Sequence, residues 1–508
     1  MQNDGVKQPT GLAKIILAAS AGTLIEWYDF YLFGSLTTIL AANFFRKGDP
    51  TAAILSTLAT FAAGFVVRPF GAVIFGRMGD TIGRKHTFLL TLLMMGFSTM
   101  AIAFVPTYAS IGIAAPLLLL ILRLTQGLAL GGQYGGAAIY IAENSPPGRR
   151  GFFTSFLQTT ATLGLFVALI VILATKSAVG DKVFAENGWR IPFLLSAVLV
   201  VFSYAIRRRM HESPAFVALQ AEGGVSKNPL VEAFVNKANR KKVLIALFGL
   251  TAGQGVVWYT GQFYALTFLQ TTLHVNLGDS YKIVAWALVF ATPFFVVFGA
   301  LSDRIGRKKL IMTGLALAAI AYMPIFDRMQ IAAAFDETGA PGPTLQVKTD
   351  TDPKTGAISY TREYRATDPK GVVQVVTMKM DPKNPTMQLK DEKSTVALTL
   401  PAANFWNLVG LVFIQVFFVT LVYGPIAACL VEMFPTQIRY TAMSVPYHIG
   451  NGVFGGLVPY IAAFIAAKSG NPLAGLLYPI AVAVITLIVG MIWVHEKRMQ
   501  EGFVEEAG

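Results

Sequence analysis

At 508 residues, 54% hydrophobic and 14% charged, with a mean hydropathy of +0.57, the chain is more apolar than a soluble fold of its length requires. Lipid is therefore its solvent, and because the alternating ten-residue segments of a membrane barrel are absent, helices must do the spanning. The formal charge of +13 does not mark a nucleic-acid binder, since the basic residues fall between the apolar runs, and a lone cysteine, Cys429, excludes an intramolecular disulfide.

Twelve spans are predicted, near residues 15–40, 51–75, 86–105, 112–141, 152–175, 190–207, 241–269, 281–301, 308–328, 402–431, 441–467 and 472–494. The first lacks a small-residue cleavage site and is read as a retained span. Loops on one side carry Arg77, Arg84, Lys85, Arg149, Arg150, Arg207, Arg208, Lys241, Lys242, Arg304, Arg307, Lys308, Lys309 and Arg439. The other side holds little beyond Arg46, Lys47, Lys176, Lys182, Arg190, Lys282 and Lys468. The positive-inside rule then puts both termini in the cytoplasm.

The segment Phe75 to Lys85, FGRMGDTIGRK, recurs at Phe298 to Lys308 as FGALSDRIGRK, each copy between the second and third spans of its half. A weaker pair, Glu143 and Glu432, follows the fourth span of each half. The two pairs are 223 (303 − 80) and 289 (432 − 143) residues apart, so the second half holds 66 additional residues, and the polar stretch 335–399 accounts for them. The organisation read from this is an all-α membrane protein of two pseudo-symmetric six-helix bundles. Residues 1–207 form the first bundle, 208–240 a cytoplasmic connector, and 241–330 with 401–508 the second bundle, interrupted by an extracytoplasmic insert at 331–400. Three Asp-Pro-Lys turns, at Asp352, Asp368 and Asp381, separate β-branched stretches at Ile358–Tyr364 and Val372–Met380. They predict a small hairpin or meander, with an irregular loop as the alternative.

The paired loops, together with Arg123-Leu124-Thr125-Gln126-Gly127 and Glu26-Trp27-Tyr28-Asp29-Phe30, resemble the metabolite:proton symporter family of the major facilitator superfamily. Arg68-Pro69-Phe70-Gly71, Gly131 to Gly136, Trp189 to Phe193 and Phe434-Pro435-Thr436 add to the resemblance, which spans nearly the whole chain outside the insert. It implies the major facilitator fold and proton-coupled uptake of a small metabolite such as α-ketoglutarate, citrate, shikimate, or proline and betaine. It further implies that Asp80, Arg84, Asp303 and Arg307 latch the cytoplasmic side, with Glu143 and Glu432 in the same network. Two departures stand out: Thr81 replaces the arginine found at Arg304 in the second copy, which would weaken the first latch, and Gln133 stands where relatives often carry glutamate.

Ionisable groups deep in a span are costly and are the first candidates for function. Glu26 lies near the middle of the first span and Asp29 follows at i+3, so two carboxylates share a face; repelling as anions, at least one is expected to take a proton readily. Static pairing with an arginine, or capping of a broken helix, is the alternative. Arg123, with Gln126 and Gln133 on its face and Tyr134 beside it, suits a substrate carboxylate or answers Glu26 or Asp29. Arg68 is expected near the inner end of its span, as a gate or anchor. On the seventh span Gln254, Trp258 and Gln262 recur at i+4 and i+8 and would line a cavity, unless they simply pack. Tyr423 on the tenth span and His448 with Asn451 on the eleventh are further polar candidates. No cofactor, metal set or enzymatic motif is recognised, so the expected partners are a small solute, protons and lipid, with the protein a monomer.

Overall fold

The computed structural model describes residues 12–45, 56–57, 59–60, 63–180, 183–208, 212–338, 340, 342–351, 358–381, 384–388 and 394–496. Arg46, Lys47, Lys182, most of the first half of the second span, and the turns at Asp352-Pro353-Lys354 and Pro382-Lys383 lie outside them. The helices are α1 (Leu12–Ser35), α2 (Arg68–Thr81), α3 (Arg84–Ile102), α4 (Ala114–Glu143), α5 (Arg150–Val179) and α6 (Arg190–Arg208) in the first half. The second half has α7 (Lys237–Thr272), α8 (Leu277–Ile305), α9 (Arg307–Ala333), α10 (Ala402–Met433), α11 (Arg439–Ser469) and α12 (Ala474–Trp493). Among the described residues nine of these are long and apolar enough to cross a membrane by themselves. Their outward faces stay apolar, as at Phe97, Ile170, Val201 and Ile320, because lipid, not water, surrounds them. Short helices at Pro214–Ala221 and Pro229–Phe234 fill the connector.

The two halves meet along α5 against α8 and α2 against α11. The repeated charged segments are not open turns, as expected, but helix ends. Helix α2 runs on to Thr81, and only Gly306 separates α8 from α9. Gly83 and Gly306 make this possible, with φ of 124° and 105°, a region side-chain-bearing residues avoid. Helix α7 is wound as π-helix at Leu247–Thr251, Thr260–Tyr264 and Phe268–Thr272, and α11 at Ile449–Gly455. Each π-turn holds more residues than an α-turn, which shifts the phase of the side chains that follow it.

The insert is a five-stranded antiparallel sheet: β1 (Thr344–Thr351), β2 (Ile358–Thr367), β3 (Val373–Asp381), β4 (Asn384–Gln388) and β5 (Thr395–Thr399). Strands β1 to β4 follow in order, and β5 pairs with β3 from Val373↔Thr399 to Thr377↔Thr395. The expected turn at Asp368 forms, its carboxylate accepting from Val372 N at 2.8 Å and Asp336 N at 3.1 Å. The sheet sits at the end opposite the paired charged segments, because α9 enters it and α10 leaves it there. It is tied to the α7–α8 junction. Leu398 N donates to His274 O at 2.7 Å and Asn276 N donates to Leu398 O at 2.8 Å. His274 has φ 53°, the only positive value at a non-glycine among the described residues, so the strand holds a backbone conformation that is costly alone. Leu398→Pro removes that donor while leaving the β3 ladder intact. It should cost about 1–3 kcal/mol, the penalty for stranding a carbonyl, seen as a lower melting temperature in a thermal-shift measurement; an unchanged melting temperature would show that the sheet does not hold the junction.

Candidate functional site

Asp29 and Arg123 meet in the first bundle: Arg123 Nη1 donates to Asp29 Oδ2 at 2.8 Å, and Gln126 Nε2 donates to Asp29 Oδ1 at 3.0 Å. Gln126 also reaches Thr99 Oγ1 at 2.8 Å, and the Arg123 guanidinium lies 3.7 Å from the Phe33 ring centroid. Both members of the pair are buried, at 5% and 2% exposure. Glu26, one turn earlier on α1, is equally buried, but its Oε2 has no hydrogen-bond partner among the described residues. Arg68 completes the group. It lines the same cleft as Glu26, Asp29, Arg123 and Gln126, with its guanidinium 4.3 Å from the Phe65 ring. The expectation that Arg68 lies near the inner end is therefore corrected: α2 continues 13 residues beyond it, which leaves it at mid-depth. The cleft, about 20 Å³, has room for roughly one water.

A second, wider cavity of about 260 Å³ lies between α1, α5, α7 and α8, away from the charged segments. Phe30 lines both spaces. It belongs to an aromatic seam joining the halves: Trp27 meets Trp258 at 4.9 Å, Phe30 meets Phe263 at 4.9 Å, and Phe65 meets Tyr259 at 6.1 Å between ring centroids. Deeper along the seam Tyr134 stacks on Tyr447 at 3.8 Å, Tyr447 and Tyr423 share a hydroxyl hydrogen bond of 2.6 Å, and Gln158 Nε2 donates to Tyr134 Oη.

The remaining candidates separate. Gln254 and Trp258 share the α-helical stretch Ala252–Tyr259 and Gln262 follows in the π-turn Thr260–Tyr264, and the three meet different neighbours. Gln254 and Asn451 exchange two hydrogen bonds, 3.1 and 2.9 Å, inside the second half. Trp258 plugs the seam, and Gln262 alone of the three lines the wide cavity. Gln133 is fully buried with neither amide atom bonded among the described residues. His448 is buried edge-on to Tyr447. Among the described residues no group of His, Cys, Asp or Glu is arranged to hold a metal.

The opposite end is sealed by a reciprocal set of charges. Asp80 accepts from Tyr440 N at 3.1 Å and Thr441 N at 2.8 Å, at the start of α11. Asp303 accepts from Gly151 N and Phe152 N, both at 2.8 Å, at the start of α5. Each half thus puts a carboxylate on the positive helix end of the other. Arg439 pairs across to Glu143 at 2.7 Å and Arg150 to Glu432 at 3.7 Å. Arg84 lies 3.3 Å from Asp80 and 3.9 Å from Glu143, whereas Arg307 lies 2.7 Å from Asp303 and 3.1 Å from Glu432. The ion pairs of the first copy are the longer, but its Arg84 also donates to Thr436 O in the other half at 2.7 Å, and Thr81 Oγ1 bonds back to Arg77 O and Met78 O.

Two further residues of this network escaped the sequence reading. Glu212 accepts from Arg84 N, Lys85 N and Ser213 N, and Glu496 accepts from Arg307 N, so each caps the third helix of its half. A repeated His-Glu pair after the sixth span of each half, at 211–212 and 495–496, was the available signal. Close contact also depends on Gly299, where a Cβ would lie 2.4 Å from Ser155 Cβ and 2.6 Å from Gly151 O. Gly299→Val should therefore hold this end open, lengthening the distance between spin labels at His86 and Lys309; an unchanged distance would show that the halves do not close on this glycine.

Two bundles that bury ionisable groups beside their seam and seal it at one end are built to rock against each other, which puts the chain in the class of alternating-access carriers. It belongs to the family described as sugar (and other) transporter, whose profile matches residues 14–341. The chain is 34% identical over 496 residues to the inner membrane metabolite transport protein YhjE of Escherichia coli K12, covering 96% of this chain and 95% of that one. It is 32% identical over 485 residues to the alpha-ketoglutarate permease of the same organism, covering 95% and 93%. The fold matches the proton:xylose symporter XylE with a TM-score of 0.66 over 98% of this chain and 99% of that one, at 16% identity. The protein is thus a multi-pass membrane transporter of the major facilitator superfamily and not an enzyme.

Proposed function

We propose that the protein imports a small organic acid together with protons, by alternating access, in a bacterial inner membrane, as a monomer with both termini cytoplasmic. The observation that carries this reading is the cleft that gathers Glu26, Asp29, Arg68 and Arg123 beside the seam. Charges are retained at such depth when they serve transport. Sequence similarity to a permease for alpha-ketoglutarate supports an organic acid as cargo.

With the charged end taken as cytoplasmic, the conformation is closed inside, and the wide cavity is the route from outside. A solute enters there and passes Phe30. Arg68 or Arg123 meets its carboxylate, the latter by loosening its bond to Asp29, and Glu26 takes the proton. The loaded halves then exchange the Asp80 and Asp303 caps for an open inner mouth. Opening exchanges each cap for water, and cargo biases that equilibrium by binding the two states unequally. The test is uptake of labelled organic acids into proteoliposomes with an alkaline interior. Accumulation should appear and collapse with a protonophore; uphill uptake that survives the protonophore rules the reading out.

A zwitterion cargo is the second reading, favoured by the aromatic walls at Trp27, Trp258 and Phe263, which suit a quaternary ammonium. It predicts uptake of glycine betaine in preference to any acid.

A further inference from the structure

We infer that the sheet between α9 and α10 is a phospholipid-binding module, whose inner face lies on the headgroups of the adjacent leaflet. This goes beyond the proposed transport and is independent of the cargo. Strand alternation divides the sheet into two unlike faces. One row of paired residues, Leu345↔Tyr364↔Val376↔Val396, runs across the whole sheet on one face, and the next row on that face is Val347↔Arg362↔Met378. Arg362 is the only charged residue on it among the described strand residues, and Tyr360 and Tyr364 flank it along β2. The other face carries Lys348, Glu363, Arg365 and Lys379, with Lys348 and Glu363 paired at 2.7 Å.

The apolar face is the one turned towards the membrane. At its β5 end Leu398 is buried in the same cluster as Leu273 and Val275 of the α7–α8 junction, and Val372, in step with that face just ahead of β3, is buried there too. At the β1 end the face has run past the helix tops, and Leu345 and Val347 stand 49% and 57% exposed. Lipid, not the transport route, lies beneath that end. Helix α9, from which the sheet springs, packs against α10 and α12 and shows Ile331 near its last turn at 58% exposure. Helix α10 begins with Trp406 at 48%, its ring 5.7 Å from Trp286. The lipid-facing surface thus reaches both roots of the sheet, whereas no residue of α9, α10 or the sheet lines the wide cavity. Apolar and aromatic side chains around one arginine suit the headgroup layer: rings and methyls enter it, and the guanidinium reaches phosphate.

The experiment uses the full-length protein, with Cys429 changed to Ser, in bilayers of phosphatidylethanolamine and phosphatidylglycerol. A fluorescent label is placed in turn at Leu345→Cys, Gln346→Cys and Val347→Cys and quenched by phospholipid carrying a nitroxide near its headgroup. The inference predicts strong loss of emission at Leu345 and Val347 and little at Gln346, which lies between them on the charged face. Adding Arg362→Glu should reduce the quenching at Val347, and Arg362→Lys should retain it, with thermal melting showing that both variants fold. Equal quenching at the three positions, or none, overturns the inference. A label at Val347 that is shielded from a water-soluble quencher yet untouched by the lipid one would put protein there, as a second copy or a lid, and overturns it as well. Quenching at Val347 unchanged by Arg362→Glu overturns the phosphate contact.

Discussion

Glu26→Gln is expected to abolish uphill accumulation while permitting exchange. A pH gradient of one unit supports at most about tenfold accumulation for one coupled proton. In the variant the ratio should fall to unity, because an amide at residue 26 cannot release a proton on the far side. Labelled solute should still exchange against unlabelled solute inside the vesicles, since Asp29, Arg68 and Arg123 are untouched and the caps at Asp80 and Asp303 still open and close. Loss of both accumulation and exchange would mean that Glu26 holds the fold or the cargo, not the proton; retained accumulation would put the coupling elsewhere.

Arg123→Met should be the most damaging single change, and its partner change should repair only part of the damage. Removing the arginine leaves the Asp29 carboxylate at 2% exposure, still accepting a hydrogen bond from Gln126. Breaking a buried ion pair from one side costs about 3–5 kcal/mol. Asp29→Leu combined with Arg123→Met removes both charges and should recover most of that stability, because an apolar pair of similar volume suits the surroundings of Phe33. Transport should be absent in both. Thermal melting of single and double variants beside uptake decides the matter: a stable, inactive double variant assigns the pair to function, whereas a double variant that transports makes the pair purely architectural.

Most of the architecture was legible because lipid imposes simple rules. Spans follow apolar length, and the repeat around Asp80 and Asp303 follows from residues that must do one job twice. The sheet was visible in the β-branched stretches that became β2 and β3. The acidic pair on α1 and the arginine on α4 were found because charge in hydrocarbon needs a reason. What remained hidden was geometry that hydropathy does not carry. Arg68 was misplaced because the charged run after Phe75 reads as a loop, although the helix continues through it to Thr81 and turns only at Gly83. The separate partners of Gln254, Trp258 and Gln262 were hidden because spacing along a helix does not say which neighbour each side chain meets. Glu212 and Glu496 act on backbone amides of another helix, a partnership that apolar periodicity cannot show.

Transport through these residues requires the charged cleft to be wet and reached from one side at a time. With Cys429 changed to Ser, a cysteine placed at Leu130, which lines the cleft, can be probed with a charged, membrane-impermeant thiosulfonate, using Gln262→Cys in the wide cavity as a control. Leu130→Cys is predicted to react from the side of the wide cavity, and more slowly when a transported solute is present. A thiol that stays unmodified from both sides while Gln262→Cys reacts would show Glu26, Asp29 and Arg123 to be dry packing, and the transport site would lie elsewhere.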